Sequence, residues 1–234
     1  MTPVETKATL PRKTRILAIA CQKGGAGKST LTVNLAGAAA ANGYRVAVAD
    51  TDKQASACFW SDTRLSRDST APLSIQPVFA VRLEHTLQAL DMAGCDLAII
   101  DTPPHAADIS SKAIGLADFV LIPTEPAAFD LKAMLETIQQ CRALEKPFAV
   151  VLNKCPPQHG EELTHSMNAL AQTHSEVCPI LLHRYVAYPR SQGAGQTVVE
   201  LDPDGNAAAE LAQLYAYTLK HLNITKPSQR KRTA

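Results

Sequence analysis

Two lysines bracket a glycine-rich turn near the start of this chain, in the run Lys23-Gly24-Gly25-Ala26-Gly27-Lys28-Ser29-Thr30. Glycines let a backbone curl until successive N–H groups point at one anion, and a helix opening at the end of the curl adds its positive pole. The residues on either side supply that context. An apolar run at 16–21 reads as a buried strand, and a helical pattern opens near Gly27. Strand, glycine turn and helix together make a phosphate-binding loop. Lys28 is spaced to reach the β- and γ-phosphates of a nucleotide, and the Ser29 hydroxyl to ligate Mg²⁺. Gln22 stands where the usual pattern begins with glycine, and Lys23 adds a second lysine that a single nucleotide does not require.

Carboxylates fall at the other strand ends. Residues 45–50 form an apolar strand running into Asp50-Thr51-Asp52-Lys53-Gln54, and 96–101 form another that ends at Asp101 before Thr102-Pro103-Pro104-His105. In open α/β sheets, ligands bind at the carboxyl ends of the strands. An aspartate closing an apolar strand about seventy residues after a phosphate loop fits a holder of Mg²⁺ through its water shell. Asn153 ends the apolar run 148–154 at the same edge. His105 is a bystander loop histidine and carries no catalytic role here.

These motifs resemble the ParA/MinD family of dimerising ATPases. Lys23-Gly24-Gly25-x-Gly27-Lys28-Ser29-Thr30 looks like its deviant Walker A motif, covering 23–30 with Gly24, Gly25, Ala26, Gly27, Lys28, Ser29 and Thr30 around ATP. The resemblance implies that Lys23 crosses a homodimer interface to the other subunit's phosphates. It further implies that Asp52 helps place the attacking water, and that Asp50 lies near the magnesium with Ser29 and Asp101. Asp50, Asp52, Gln54, Asp101, Thr102 and Pro103 would form nucleotide-sensing switches, although Lys53 replaces the family's usual proline. An asparagine at position 153 often contacts adenine in the family; a strand-end turn former is the equally weighted alternative.

The elements needed to hold these residues alternate. Helices are expected from near 27 to 42–43, within 55–70, over 81–93 (with Val81, Leu83, Leu87 and Leu90 on the apolar side), over 128–143, over 160–173 and over 206–222. Further strands are expected at 73–79, 118–123 and 177–182. Such alternation predicts an α/β fold with a doubly wound, mostly parallel sheet and helices on both faces. A chain of 234 residues with 46% hydrophobic content suffices for one such domain, placed at 15–223 between a flexible tail at 1–14 and a basic one at 224–234.

Net charge is +1, so nucleic-acid binding would need a local patch. The segment 183–196 is basic and glycine-containing and precedes Val198-Val199-Glu200-Leu201-Asp202-Pro203 and a closing helix. It resembles the family's last segment, which implies non-specific contacts to DNA phosphates. Arg184, Arg190 and Lys220 are the candidates, followed by Lys226, Arg230, Lys231 and Arg232 in the tail. Residues 226–234 contain no large apolar side chain, unlike the amphipathic membrane helix of MinD-like relatives, so no membrane contact is expected. Six cysteines without a C-x-x-C pair fit reduced thiols in a cytoplasmic, nucleoid-associated protein.

The resemblance implies a small ParA-type ATPase without the N-terminal helix-turn-helix domain of larger members. It would form an ATP-sandwich dimer, bind DNA and drive plasmid or chromosome partition. Hydrolysis would be slow alone and stimulated by a ParB-like or ribbon-helix-helix centromere-binding partner. The alternatives are a protein cargo positioned on the nucleoid, a MinD-like spatial regulator, or a DNA-binding module that ignores nucleotide.

Overall fold

The computed structural model describes residues 14–67, 73–158 and 160–224. Six strands form one sheet: β1 (Arg15–Ile19), β2 (Val46–Asp50), β3 (Leu73–Pro77), β4 (Leu97–Asp101), β5 (Phe119–Thr124) and β6 (Phe148–Leu152), in the order β3-β2-β4-β1-β5-β6. Every pairing is parallel. All six strands therefore end at the same edge, and the phosphate loop leaves the sheet between β4 and β5.

Alternation along the strands other than the edge strand β3 explains why they read as apolar runs. Leu17, Ile19, Leu97, Ile99, Phe119 and Leu121 face one buried cluster, while Ile16, Ala18, Ala98, Ile100, Val120 and Ile122 face another. A parallel sheet covered on both faces requires this pattern. The first cluster is closed by α1 (Lys28–Ala41), α2 (Ser56–Leu65) and α9 (Asn206–His221), and the second by α3 (Leu83–Met92), α4 (Ala107–Leu116), α5 (Ala128–Ala143) and α6 (Glu161–Gln172). Leu31 and Leu35 of α1 are completely or almost completely buried, each contributing about 2 kcal/mol. Asn42 caps α1 at its carboxyl end and Gly43 follows with φ +84°, as the sequence predicts.

Four local expectations change. The helix expected over 81–93 begins as a 3₁₀ turn, Ala80–Arg82, whose tighter winding takes Val81 out of phase with Leu83 and Leu87. Val81 is 84% exposed while those two leucines are buried. Residues 177–182 form no strand: Val177 makes an isolated bridge to Val150 of β6, the chain bends at Pro179, and the next bridge pairs His183 with Cys155, beyond the end of β6. Helix α4 forms where the sequence reading placed no element, and the basic stretch after 183 contains a helix, α7 (Ala187–Gly193), followed by α8 (Val198–Leu201). Pro189 is compatible with α7 because it occupies the first turn, where backbone N–H groups have no intrahelical acceptor.

Thr14, assigned to the flexible tail, is fully buried: its N–H donates to Asp91 Oδ1 at 2.7 Å and its hydroxyl to the Cys95 carbonyl at 2.7 Å. Ile224, assigned to the other tail, packs against the first cluster. Both expected tails otherwise lie outside the described residues, as do Lys226, Arg230, Lys231 and Arg232.

Candidate functional site: a nucleotide cleft at the carboxyl edge of the sheet

Gly25 and Gly27 take φ values of +80° and +94°, which is what lets the loop turn on itself between β1 and α1. A Cβ on Gly27 would come within 2.2 Å of the Asn153 amide, so glycine is required there for space as well as for conformation. Helix α1 starts at Lys28 with no side chain capping its first turn, leaving the N–H groups at that pole for a ligand. Lys28 is 6% exposed, and its Nζ donates to the Lys23 carbonyl at 2.8 Å. Burial lowers its pKa, while the negative fields of Cys21, Asp101 and Asp52 oppose the shift. The loop floors a cleft of about 840 Å³ that also reaches Asp52, Gln54, Asn153 and the segment from His183 to Gln192.

Asp101 is completely buried, and neither carboxylate oxygen has a hydrogen-bond partner. The Thr32 hydroxyl, on the first turns of α1, is orphaned in the same way. Desolvation raises the Asp101 pKa to about 7, with Asp50 adding to the rise and Ser29, Lys28 and Thr32 moderating it. A buried carboxylate with two open oxygens beside a serine hydroxyl fits a divalent cation, since hard cations take oxygen ligands and stabilise the ionised form.

Asp50 is the register partner of Asp101 across β2 and β4 and is 1% exposed, yet its oxygens are engaged. Oδ1 accepts from the Asp52 N–H, and Oδ2 from the N–H groups of Ala57 and Cys58 in the first turn of α2, each at 3.1 Å. Burial raises the Asp50 pKa against the opposing effect of these hydrogen bonds. Its carboxylate thus ties the end of β2 to α2. Asp52 lines the cleft and accepts from the Gln54 N–H at 2.9 Å. Thr51 donates through both N–H and hydroxyl to the Asp101 carbonyl, and the Thr102 hydroxyl donates to Ile19. The two expected switches are therefore joined to each other and to β1. Pro103 is buried beside them, and His105, with φ +54°, is exposed.

Asn153 is buried under the loop: its Nδ2 donates to the Ala26 carbonyl at 2.8 Å and its Oδ1 accepts from the Lys154 N–H at 2.9 Å. Three contributors escaped the sequence reading. The Lys154 ammonium donates to the Gly25 carbonyl and pairs with Glu125 Oε1 at 2.8 Å. Gln192 on α7 donates to the Thr30 hydroxyl at 3.0 Å. Arg64 on α2, stacked over Trp60, forms a two-pronged pair with Glu200 at 2.8 and 2.6 Å. Only the position of Lys154, directly after Asn153, offered a clue in the sequence.

The three DNA candidates are exposed but do not share one surface. Arg184 lines the nucleotide cleft and approaches Glu125 Oε2 at 3.4 Å. Arg190 projects from α7, over a second hollow that also contains Asp202 and Asp204. Lys220 adjoins His221, which stacks on Phe119, the first residue of β5 and hence at the edge opposite the cleft.

A phosphate loop, two strand-end carboxylates and a cleft on a six-stranded parallel sheet define a P-loop nucleotide-binding architecture. Residues 17–199 match the CobQ/CobB/MinD/ParA nucleotide-binding domain, and the chain belongs to that family. Relatives include a maintenance of carboxysome distribution protein A from Gloeobacter kilaueensis, 29% identical over 80% of this chain and 84% of its own length. A protein ParA from Rhizobium radiobacter is 28% identical over 87% of this chain and 94% of its own. Among solved structures, the ATP complex of a Cyanothece McdA variant superposes with a TM-score of 0.75 at 19% identity, covering 93% and 99% of the two chains. Among the described residues no helix is long and apolar enough to cross a membrane.

Proposed function

We propose that this chain hydrolyses ATP to ADP and phosphate as a nucleotide-dependent homodimer, and uses that cycle to move or place a cargo on DNA. The observation that carries the reading is Asp101, a buried carboxylate with both oxygens open, set beside Ser29 and Lys28 at the loop. Loop N–H groups, the α1 amino end and Lys28 bind the β- and γ-phosphates. Ser29 and Asp101 hold Mg²⁺, which when bound neutralises charge on the phosphate oxygens. Asp50 keeps Asp52 and α2 in place, and Asp52, partly exposed in the cleft, orients the attacking water. Lys23 completes the twin subunit's site. Asn153 acts first on the loop, since its amide nitrogen is engaged there and its oxygen takes the N–H of the neighbouring Lys154.

Lys28→Ala tests the assignment directly. ATP turnover is expected to fall to background in a phosphate-release assay, and full retained activity overturns the site. For the dimer, light scattering with ATP and magnesium is expected to give twice the mass of the protein without nucleotide, and a persistent monomer refutes it.

Non-specific DNA binding rests on the exposed arginines of the 184–190 segment, with Lys220 at most a remote contributor. Such binding should require ATP and fall steeply with salt in a gel shift. A shift that ignores nucleotide favours a constitutive DNA-binding module instead. Plasmid or chromosome partition with a centromere-binding partner is the first cargo reading. The carboxysome-distribution name of one relative favours a second, in which the cargo is a protein assembly.

A further inference from the structure

Two successive residues at the end of β6 hold two successive carbonyls of the phosphate loop. Asn153 donates to Ala26, and Lys154 donates to Gly25. Lys154 adopts φ +54°, a conformation uncommon for a long side chain, and this places its ammonium between the Gly25 carbonyl and Glu125. A trans peptide is planar with its C=O and N–H on opposite sides. The unit carrying the Gly25 oxygen also carries the Ala26 N–H, and the unit carrying the Ala26 oxygen also carries the Gly27 N–H. Holding both oxygens toward β6 turns both N–H groups to the other side of the loop. It also keeps the negative end of the Gly25 carbonyl from facing an anion, and Gly25, with no Cβ and an exposed position, has little else to stop its peptide from rotating.

We infer that Lys154, fixed by Glu125, is a positioning residue for nucleotide binding: it orients the Gly25–Ala26 peptide so that its N–H serves the phosphates. The inference rests on the proposal that the loop holds a nucleotide. Lys154 acts through the loop, with Glu125 neutralising its charge and limiting its reach.

The two ways a lysine here could help are separated by the sign of one substitution. If Lys154 orients the loop, Glu125→Gln loosens it and weakens nucleotide binding. If Lys154 instead grips the phosphates itself, the same change releases a cation and strengthens binding. The experiment titrates the full chain with N-methylanthraniloyl-ATP and magnesium, comparing wild type, Lys154→Met, Lys154→Arg, Lys28→Ala and Glu125→Gln, the last read against an Arg184→Gln background because Glu125 also approaches Arg184 at 3.4 Å.

The expected result is about ten-fold weaker binding for Lys154→Met, the scale of one charged hydrogen bond. Glu125→Gln is expected to weaken binding about three-fold, and Lys154→Arg to restore most of the loss. In turnover, Lys154→Met raises KM more than it lowers kcat, with the melting temperature of the nucleotide-free protein kept. Wild-type binding by Lys154→Met, or tighter binding by Glu125→Gln, overturns the inference. If Lys154→Met does not fold, the sign for Glu125→Gln decides alone. If wild type binds no nucleotide, the function proposed above fails; if wild type binds, Lys28→Ala does not and Lys154→Met matches wild type, only the present inference fails.

Discussion

Asp50 and Asp101 close neighbouring strands, face each other in the sheet register and are both withdrawn from solvent, but their surroundings differ. The Asp50 carboxylate takes three backbone N–H groups, from Asp52 and the first turn of α2, while the Asp101 carboxylate takes none. Burying an uncompensated carboxylate costs several kcal/mol, so folding alone gives no reason to keep Asp101 as it is. The fold uses one carboxylate in its own architecture and leaves the oxygens of the other open, as the proposed cation site requires. Residue type and position at a strand end are shared; only the neighbouring backbone tells the two roles apart.

Asp101→Asn should have the largest effect and sharpen the contrast most. ATP turnover should fall by about 100-fold, the scale of losing one preorganised electrostatic group. The urea midpoint of the nucleotide-free protein should hold or rise, because the desolvation cost of the buried carboxylate is gone. Asp50→Ala should do the reverse and cost about 3 kcal/mol in chemical denaturation, leaving three N–H groups without an acceptor. If both variants unfold equally easily, the distinction fails.

Glu200→Gln extends the comparison to a carboxylate paired with a cation. Its loss should cost about 2 kcal/mol, since the Arg64 side chain is only 10% exposed. Burial pushes the Glu200 pKa up, but Arg64 and the Thr197 backbone pull it below its ordinary 4.5. A carboxylate with a depressed folded pKa contributes its full stabilisation above the ordinary value and loses it as pH falls through the depressed one. Wild-type denaturation midpoints should therefore decline below about pH 4.5 more steeply than those of Glu200→Gln. Asp52→Ala should have the smallest effect on stability, under about 0.5 kcal/mol for one partly exposed hydrogen bond. Its ATP binding should persist while hydrolysis, followed by phosphate release, slows.

What could be read from the sequence follows from how local each feature is. The phosphate loop is eight consecutive residues between an apolar strand and a helix, so types and spacing suffice to find it. The parallel sheet showed in apolar runs, three of them closed by Asp50, Asp101 and Asn153, and Asp101 stood out for the same reason. Lys154 and Gln192 did not, because each reaches the loop from more than a hundred residues away with an ordinary surface side chain. Arg64 and Glu200 are separated in the same way. Whether an aspartate is satisfied depends on where α2 begins, and residue spacing does not carry that. The missing strand at 177–182 and the misplaced Val81 go with a bend at Pro179 and a 3₁₀ turn, which a simple periodicity overlooks.

Helix α1 is bound along its length to the last third of the chain. Thr30 receives Gln192, the Asn34 oxygen accepts from the Val198 N–H at 2.8 Å, and Gly37 leaves room for Thr197, whose methyl would lie 2.3 Å from any added Cβ. A chimera that imports residues 183–201 from another member must bring along matching residues at 30, 34 and 37. Otherwise the graft pries open the seam beside the cleft, and the hybrid is expected to hold a nucleotide less well than either parent.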